Sequence, residues 1–436
     1  MRLEVGNIFI NDIEFADETC IKNSILYINQ AKLINVAGDD KRIKSVEVFL
    51  ARPGESIRIV PVKDVIEPRV KADIISATPS QNDGGIFPGF ISKVNTVGSG
   101  KTHVLKNAAV VTTGKIVGFQ EGIIDMSGIG AEYTPFSKTN NVVVKVEPIE
   151  DISAHEHEVV VRLAGLRAAT YLGEAAKNLV PDEIKIFETK PLLEQVNEYP
   201  NLPKVAYVYM LQTQGLLHNT YFYGVDVKEI APTFMYPTEV MDGAIISGNC
   251  VSACDKNPTY VHQNNPIIED LYVEHGKTIN FIGCVITNEN VTLLDKERSS
   301  EMTAKLVGYL GVDAVIISEE GFGNPDADLV MNCNKIEKQG IKTVLVTDEY
   351  AGKDGASQSL ADSTLLGDAC ISAGNANEII TLSPMAIVYG YPDVIDVITG
   401  GWRGSLRDDG SIEAEIQLIT GATNELGFHY LTAKEI

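Results

Sequence analysis

Residues 246–256 read ISGNCVSACDK, so Cys250 and Cys254 are separated by three residues and Asn249 directly precedes the first. Thiols placed this way can bind a metal, exchange disulfides or attack the backbone. A structural zinc site takes two cysteine pairs, or one pair with paired histidines. Here the nearest downstream histidine is His262, and there is no second cysteine pair. A C-x3-C-x2-C iron–sulfur pattern fails at Asn257. Thioredoxin-like exchange takes C-x-x-C, one residue tighter. Two readings remain. One is a buried or redox-active pair. The other is self-processing, in which the Cys250 thiol attacks the Asn249 carbonyl and turns the peptide bond into a thioester. Elimination then breaks the chain and leaves dehydroalanine, which hydrolyses to a pyruvoyl group on a new N-terminus. This is nucleophilic catalysis turned inward. It needs a turn in which the peptide can leave planarity, and Ser247-Gly248 suits one. The residues alone leave both readings open.

Other motifs carry less. TVGSGKTHVL resembles a phosphate-binding loop, but the pattern needs glycine where Asn95 stands. The residues that follow read as strand, not as the helix whose N-terminus would cradle a phosphate, so a tight glycine turn between strands is expected. His155 and His157 flank Glu156; on a helix, positions two apart do not share a face. GFGNPDADL has Gly321 and Gly323 but Asp326 in the third glycine's place, so it reads as a helix start rather than a dinucleotide fingerprint.

The elements that would position these residues change character along the chain. The first 155 or so residues read as β-rich: short alternating or apolar runs such as SVEVFLA, SIRIVPV and NNVVVKVEP lie between glycine clusters. HEHEVVVRLAGLRAATYLGEAAKNLVPDE has helical spacing, with Pro181 as its expected stop. From Pro203 onward, KVAYVYML, TINFIGCVIT, DAVIISEE and KTVLVTDE are the apolar runs of buried parallel strands. The helical segments NVTLLDKERSSEMTAKLVGYLG and NPDADLVMNCNKIEKQG separate them. The reading is an α/β protein, with a β-rich domain over 1–155 and a Rossmann-like, mostly parallel α/β domain over 156–436. Asn288 and Glu289, Glu319 and Glu320, and Asp348 and Glu349 follow three of the strands, where such sheets bind ligands.

The 436 residues are 44% hydrophobic and carry a formal net charge of −23. So acidic a surface repels phosphate backbones, which argues against nucleic acid as a partner. No run is long and apolar enough to cross a bilayer, and the N-terminus lacks a signal-peptide pattern, so no membrane role and a cytoplasmic location are expected. Of six cysteines, Cys284, Cys333 and Cys370 lie in apolar patterns and are expected in the core.

Long stretches carry a resemblance to a known family: MRLEVGNIFI, RPGESIRIVPVKDVIEPRVK, GGIFPGFISKVNTVGSGKTHVLKNAAVVTTGKIVGFQEGIIDMSG, LPKVAYVYMLQTQGLLHNTYFYGVD, YPTEVMDGAIISGNCVSACDKNPTYVHQNN and ISEEGFGNPDADLVMNCNKIE. Along essentially its whole length the chain resembles the proprotein subunit of component B of the glycine/sarcosine/betaine reductases, and more distantly the D-proline reductase proprotein. The resemblance implies self-cleavage at Asn249–Cys250 into chains 1–249 and 250–436 that stay together, with Cys250 becoming the pyruvoyl group. That carbonyl would take the amino group of glycine, or of an N-methylated relative, as an imine. A selenocysteine-containing subunit of component B would displace the amine and pass the carbon fragment to selenoprotein A. Component C would release acetyl phosphate, and the thioredoxin system would supply electrons. Betaine has no N–H and cannot form the imine. Two segments depart from the family pattern: ADIISATPSQND reads as a short loop insertion, and Trp402 stands where phenylalanine is expected.

Further residues are candidates around this chemistry. Cys254 is a candidate for assisting the cleavage. Asp242 and Asp255 flank the cut and can shuttle protons. His218 and His262 are the nearest histidines and can act as acid or base. Arg298 or Lys353 can pair with the substrate carboxylate, and Glu289 can line the site. Two alternatives stand beside this reading: a pyruvoyl-dependent amino acid decarboxylase, and a non-catalytic scaffold subunit whose Asn-Cys bond stays intact.

Overall fold

The computed structural model describes residues 1–73, 86–91, 97–115, 122–214, 219–248, 257–358, 360–420 and 432–435. The chain is α/β. Two four-stranded sheets form the N-terminal part. In one, Arg2–Phe9 lies between Glu183–Glu188 and Gly100–Lys106, with Arg69–Lys71 at the edge. In the other, Asn140–Pro148 and Ala108–Gly114 run parallel, flanked by Ile43–Ala51 and Val62–Ile66.

The helix of the HEHEVVVR segment spans Ala154–Gly173 and begins with a capping box, Ser153 and Glu156 each accepting from the other's backbone N–H. It stops well short of the expected Pro181, passing into a 3-10 turn at Glu174–Ala176. Gly173 lets this end of the helix lie against a strand: a Cβ there would come within 2.3 Å of the Arg69 carbonyl oxygen.

His155 and His157 both sit on this helix. Burial, and after it the positive charge of Lys63, pushes the His157 imidazole down to about 4. A histidine whose folded value lies below its unfolded value favours the fold while neutral. Its contribution is complete above about 6.5 and fades as pH falls toward 4. His157→Gln is therefore expected to flatten the loss of thermal stability between pH 6.5 and 4, read by melting curves across that window. An unchanged acid slope would contradict the assignment.

The C-terminal part is built on a seven-stranded sheet. Its parallel strands are β1 (Lys204–Leu211), β2 (Asn280–Asn288), β3 (Ala314–Ser318), β4 (Lys342–Glu349) and β5 (Ala369–Asn375). They lie in the order β2-β1-β3-β4-β5, with Thr233–Met235 and Thr432–Glu435 antiparallel at the two edges. β1 and β2 are almost wholly buried, which explains their near-continuous apolar sequences. The two expected helices are α1 (Leu293–Leu310), closed by the left-handed Gly311, and α2 (Asn324–Glu337). The Asp326 carboxylate accepts the Gly323 N–H at 2.7 Å, so GFGNPDADL is a helix start as read.

Ile387–Gly390 returns to pair in parallel with Ile57–Val60. Cys284 and Cys333 are fully buried, and Cys370 is half-buried with burial pushing its thiol up to about 11. No helix among the described residues is long and apolar enough to cross a membrane.

Candidate active site

A β2-β1-β3-β4-β5 order reverses direction between β1 and β3, and ligands bind outside the carboxyl ends of the strands at that reversal. Glu320 sits there. Its carboxylate accepts from the Gln212 backbone N–H (2.8 Å), the Thr220 hydroxyl (2.5 Å) and the Asn257 backbone N–H (3.2 Å). His262 Nε2 lies 3.3 Å from Glu320 Oε1, and His262 Nδ1 is 2.6 Å from the Tyr209 hydroxyl. Glu320, His262 and Tyr209 are all 0% exposed. Burial acts to raise the Glu320 carboxyl, but the His262 ring, the Thr220 hydroxyl and the Gln212 amide more than offset it and hold it below its ordinary value.

Glu289, at the end of β2, accepts the Glu320 N–H at 2.7 Å. Its carboxyl is pushed well above the ordinary range, first by burial and then by the neighbouring Glu319 and Glu320. The two carboxyls are thus shifted in opposite directions, Glu320 toward and Glu289 away from the ionised form.

Asn249, Cys250, Cys254, Asp255 and His218 lie outside the described residues, but the anchors of segment 249–256 are described. Upstream, Gly248 N–H donates to the Asn219 carbonyl at 3.1 Å and Ser247 N–H donates to Thr259 Oγ1 at 3.0 Å. Downstream, Thr259 donates to Asp64 from its N–H (2.8 Å) and its hydroxyl (2.7 Å), while Asn257 N–H donates to Glu320. Both ends of the segment are therefore tied to the reversal point of the sheet.

The other expected residues are distributed unevenly. His262 and Glu289 meet at Glu320. Asp242 is 0% exposed in the turn before the strand Ile245–Ser247. It accepts from Gly98 N–H (2.8 Å) and the Thr102 hydroxyl (2.7 Å), and pairs with Lys71. VGSGKTHVL thus forms a glycine turn leading into the strand Gly100–Lys106, and the anion at that turn is the chain's own Asp242. Arg298 projects from α1, pairs with Asp295 and lines a cavity of about 430 Å3 with Asn288, Asn290 and Lys228. The Lys353 ammonium stands 4.1 Å over the Trp402 ring, so these two residues engage each other.

Sequence reasoning noted Glu320 only as a polar strand end and passed over Tyr209, Thr220, Asn257 and Asp64. The available signals were a tyrosine and an aspartate inside otherwise apolar strand runs, KVAYVYML and PVKDVI.

The donor set suits a group formed at the held segment. The Glu320 carboxylate, the His262 imidazole, the Tyr209 phenol and the Glu289 carboxyl lie at its anchors and can move protons there. An α/β sheet with such a set at its reversal point is an enzyme-like architecture.

Comparison with known proteins sharpens this. A model of the glycine/sarcosine/betaine reductase component B subunits matches residues 1–434. Glycine reductase complex component B subunits alpha and beta of Acetoanaerobium sticklandii are 66% identical over 100% of both chains. Sarcosine reductase complex component B subunit alpha of Peptoclostridium acidaminophilum is 56% identical, again over 100% of both. A D-proline reductase proprotein of A. sticklandii is 22% identical over 77% of this chain and 53% of its own length. No solved structure matches. The chain belongs to the glycine/sarcosine/betaine reductase component B subunits, a family of oxidoreductase components.

Proposed function

We propose that this chain is the substrate-activating proprotein of a glycine reductase, cut between Asn249 and Cys250 into chains 1–249 and 250–436 that remain together. One observation carries the reading: the full-length correspondence, at 66% identity, to a relative whose name assigns subunits alpha and beta to one chain. The word proprotein in the D-proline relative's name supports processing in the wider group. Glycine is favoured as substrate because identity falls from 66% to 56% between the glycine and sarcosine relatives.

Cys250 is the precursor of the pyruvoyl group, which supplies an electron-withdrawing carbonyl toward the substrate amine. The chain's own residues do the rest. Asn219, Thr259 and Asp64 hold the ends of the segment that must strain before it cleaves. Asp242 fixes the turn leading into it, and His262, with Glu320 behind it, exchanges protons beside it. Cys254, Asp255 and His218 are assigned to the processing step. Arg298, paired with Asp295 at its cavity, and Lys353, over the Trp402 ring, are both candidates to meet a carboxylate. Of the division into 1–155 and 156–436, the first part contributes Asp64 and Lys71 to the anchors of this site and the second carries the segment itself. The partners are the selenocysteine-containing subunit of component B, selenoprotein A and component C, with electrons from the thioredoxin system, in the cytoplasm.

Radiolabelled glycine and borohydride test the reading. Label is expected on the chain beginning at position 250 in the native protein, and at least a hundredfold less in Cys250→Ala. Equal labelling of both would refute it. Carbon dioxide released from glycine without any partner protein would favour the decarboxylase instead.

A further inference from the structure

Around Glu320, Asn257 Oδ1 and Nδ2 are both buried without a hydrogen-bond partner among the described residues, and so is Glu289 Oε2. Asn257 and Glu289 are each 0% exposed. His262 Nε2 is 3.3 Å from Glu320 Oε1 but not aligned to donate to it. All three groups meet at Glu320: Asn257 N–H donates to its carboxylate, His262 lies against that carboxylate, and Glu289 accepts its backbone N–H. A buried polar atom left unpaired is costly. Several of them around one residue at strand ends mark a place where a small polar ligand completes the set.

Charge decides which ligand. Glu320 is held toward its ionised form by contacts that include the His262 ring, Glu319 and Asp328 lie near Glu289, and Lys296 is paired with Asp328. A carboxylate would be repelled here and an ammonium drawn in.

We propose that this cluster is the subsite for the ammonium end of a small amino acid carrying at least one N–H, and that His262 is the base that removes its proton. The proposal rests on the glycine reductase reading and adds where the amine binds. Glu320 holds the ammonium. Asn257 Oδ1 accepts a second N–H, and Glu289 Oε2 closes the cage. In the step itself one N–H bond breaks, its proton goes to His262 Nε2 and the electron pair stays on the nitrogen. Nδ1–H donates to the Tyr209 oxygen throughout, and Glu320 balances the imidazolium. The neutral amine is the form that can add to a carbonyl.

Calorimetry with glycine on the full-length Cys250→Ala chain reads the subsite without any pyruvoyl chemistry. Binding is expected, with methylammonium competing and acetate not. Glu320→Gln in that background is expected to weaken it at least tenfold with the melting temperature retained. In the processed protein, His262→Gln is expected to slow borohydride trapping of glycine at least tenfold at pH 7. That variant should recover as pH rises toward the amine's own pKa, while oxime formation with methoxyamine, already neutral and read by mass, is unchanged. No glycine binding to Cys250→Ala, competition by acetate, an unchanged affinity in Glu320→Gln, or equal loss for glycine and methoxyamine would each overturn the proposal. Failure of the self-processing reading shows differently, as an uncut wild-type chain, and leaves the calorimetric result standing.

Discussion

Produced separately, residues 1–249 and 250–436 are each expected to be insoluble or unfolded, and co-production is expected to restore a single soluble species. The reason is strand order. β1 belongs to the first piece, yet it is paired along its length with β2 on one side and β3 on the other, both from the second piece. Alone, the second piece would present two open edges where β1 had been, a template for aggregation. The first piece would carry an unpartnered strand with Tyr207, Val208, Tyr209 and Met210, all 0% exposed in the fold. The pieces are further joined where Ile387–Gly390 pairs with Ile57–Val60, Thr259 bonds to Asp64, and Glu67 N–H donates to Gln263 Oε1 at 2.8 Å. Soluble yield of either piece alone should fall to near zero, and the joined pieces should co-elute on size exclusion until denaturant unfolds both. A cooperative melting transition from 250–436 alone would contradict this topology.

Arg58→Met is expected to cost about 3–5 kcal/mol, the usual penalty for stranding one member of a buried ion pair. Arg58 and Asp125 are 2% and 0% exposed. The guanidinium meets the carboxylate twice, at 2.6 and 2.7 Å, and donates to the Ser383 carbonyl at 2.8 Å. One side chain thus ties the N-terminal strands to the segment that returns near the C-terminus. Burial pushes the Asp125 carboxyl up even with Arg58 present, so losing the arginine leaves an acid that must protonate or strand its charge. Adding Asp125→Leu removes that stranded group, and the double variant should recover most of the loss. Urea titration of the uncleaved Cys250→Ala chain would measure both. A single variant within about 1 kcal/mol of its parent would show that the pair contributes little.

How far the sequence carried the reading depends on the range of the interaction. The parallel strands were legible because a strand buried on both faces must be apolar along its length, as KVAYVYML and TINFIGCVIT are. Glu289, Glu319 and Glu320 were legible as strand-end polarity for the same reason. Their meeting with His262 was not legible, because it depends on β1 lying between β2 and β3, and periodicity does not encode strand order. The helix over Ala154–Gly173 was legible by spacing, but the close approach of Gly173 to the backbone of Arg69, far away in the chain, was not. Arg58 and Asp125 sit in ordinary strand runs, and nothing local marks them as partners. Asp242 was read as a proton shuttle from its nearness to Cys250 in sequence; the structure gives it three donors from the glycine turn and Lys71.

The most direct test is the intact mass of the purified protein under denaturing conditions, before and after borohydride. The self-processing reading predicts two masses that meet at 249/250. The second should be lighter than its encoded sequence, as conversion of cysteine to pyruvoyl requires, and should gain two hydrogens on reduction. A single mass of 47.3 kDa, unchanged by borohydride, would contradict it and return Cys250 and Cys254 to a structural or redox role.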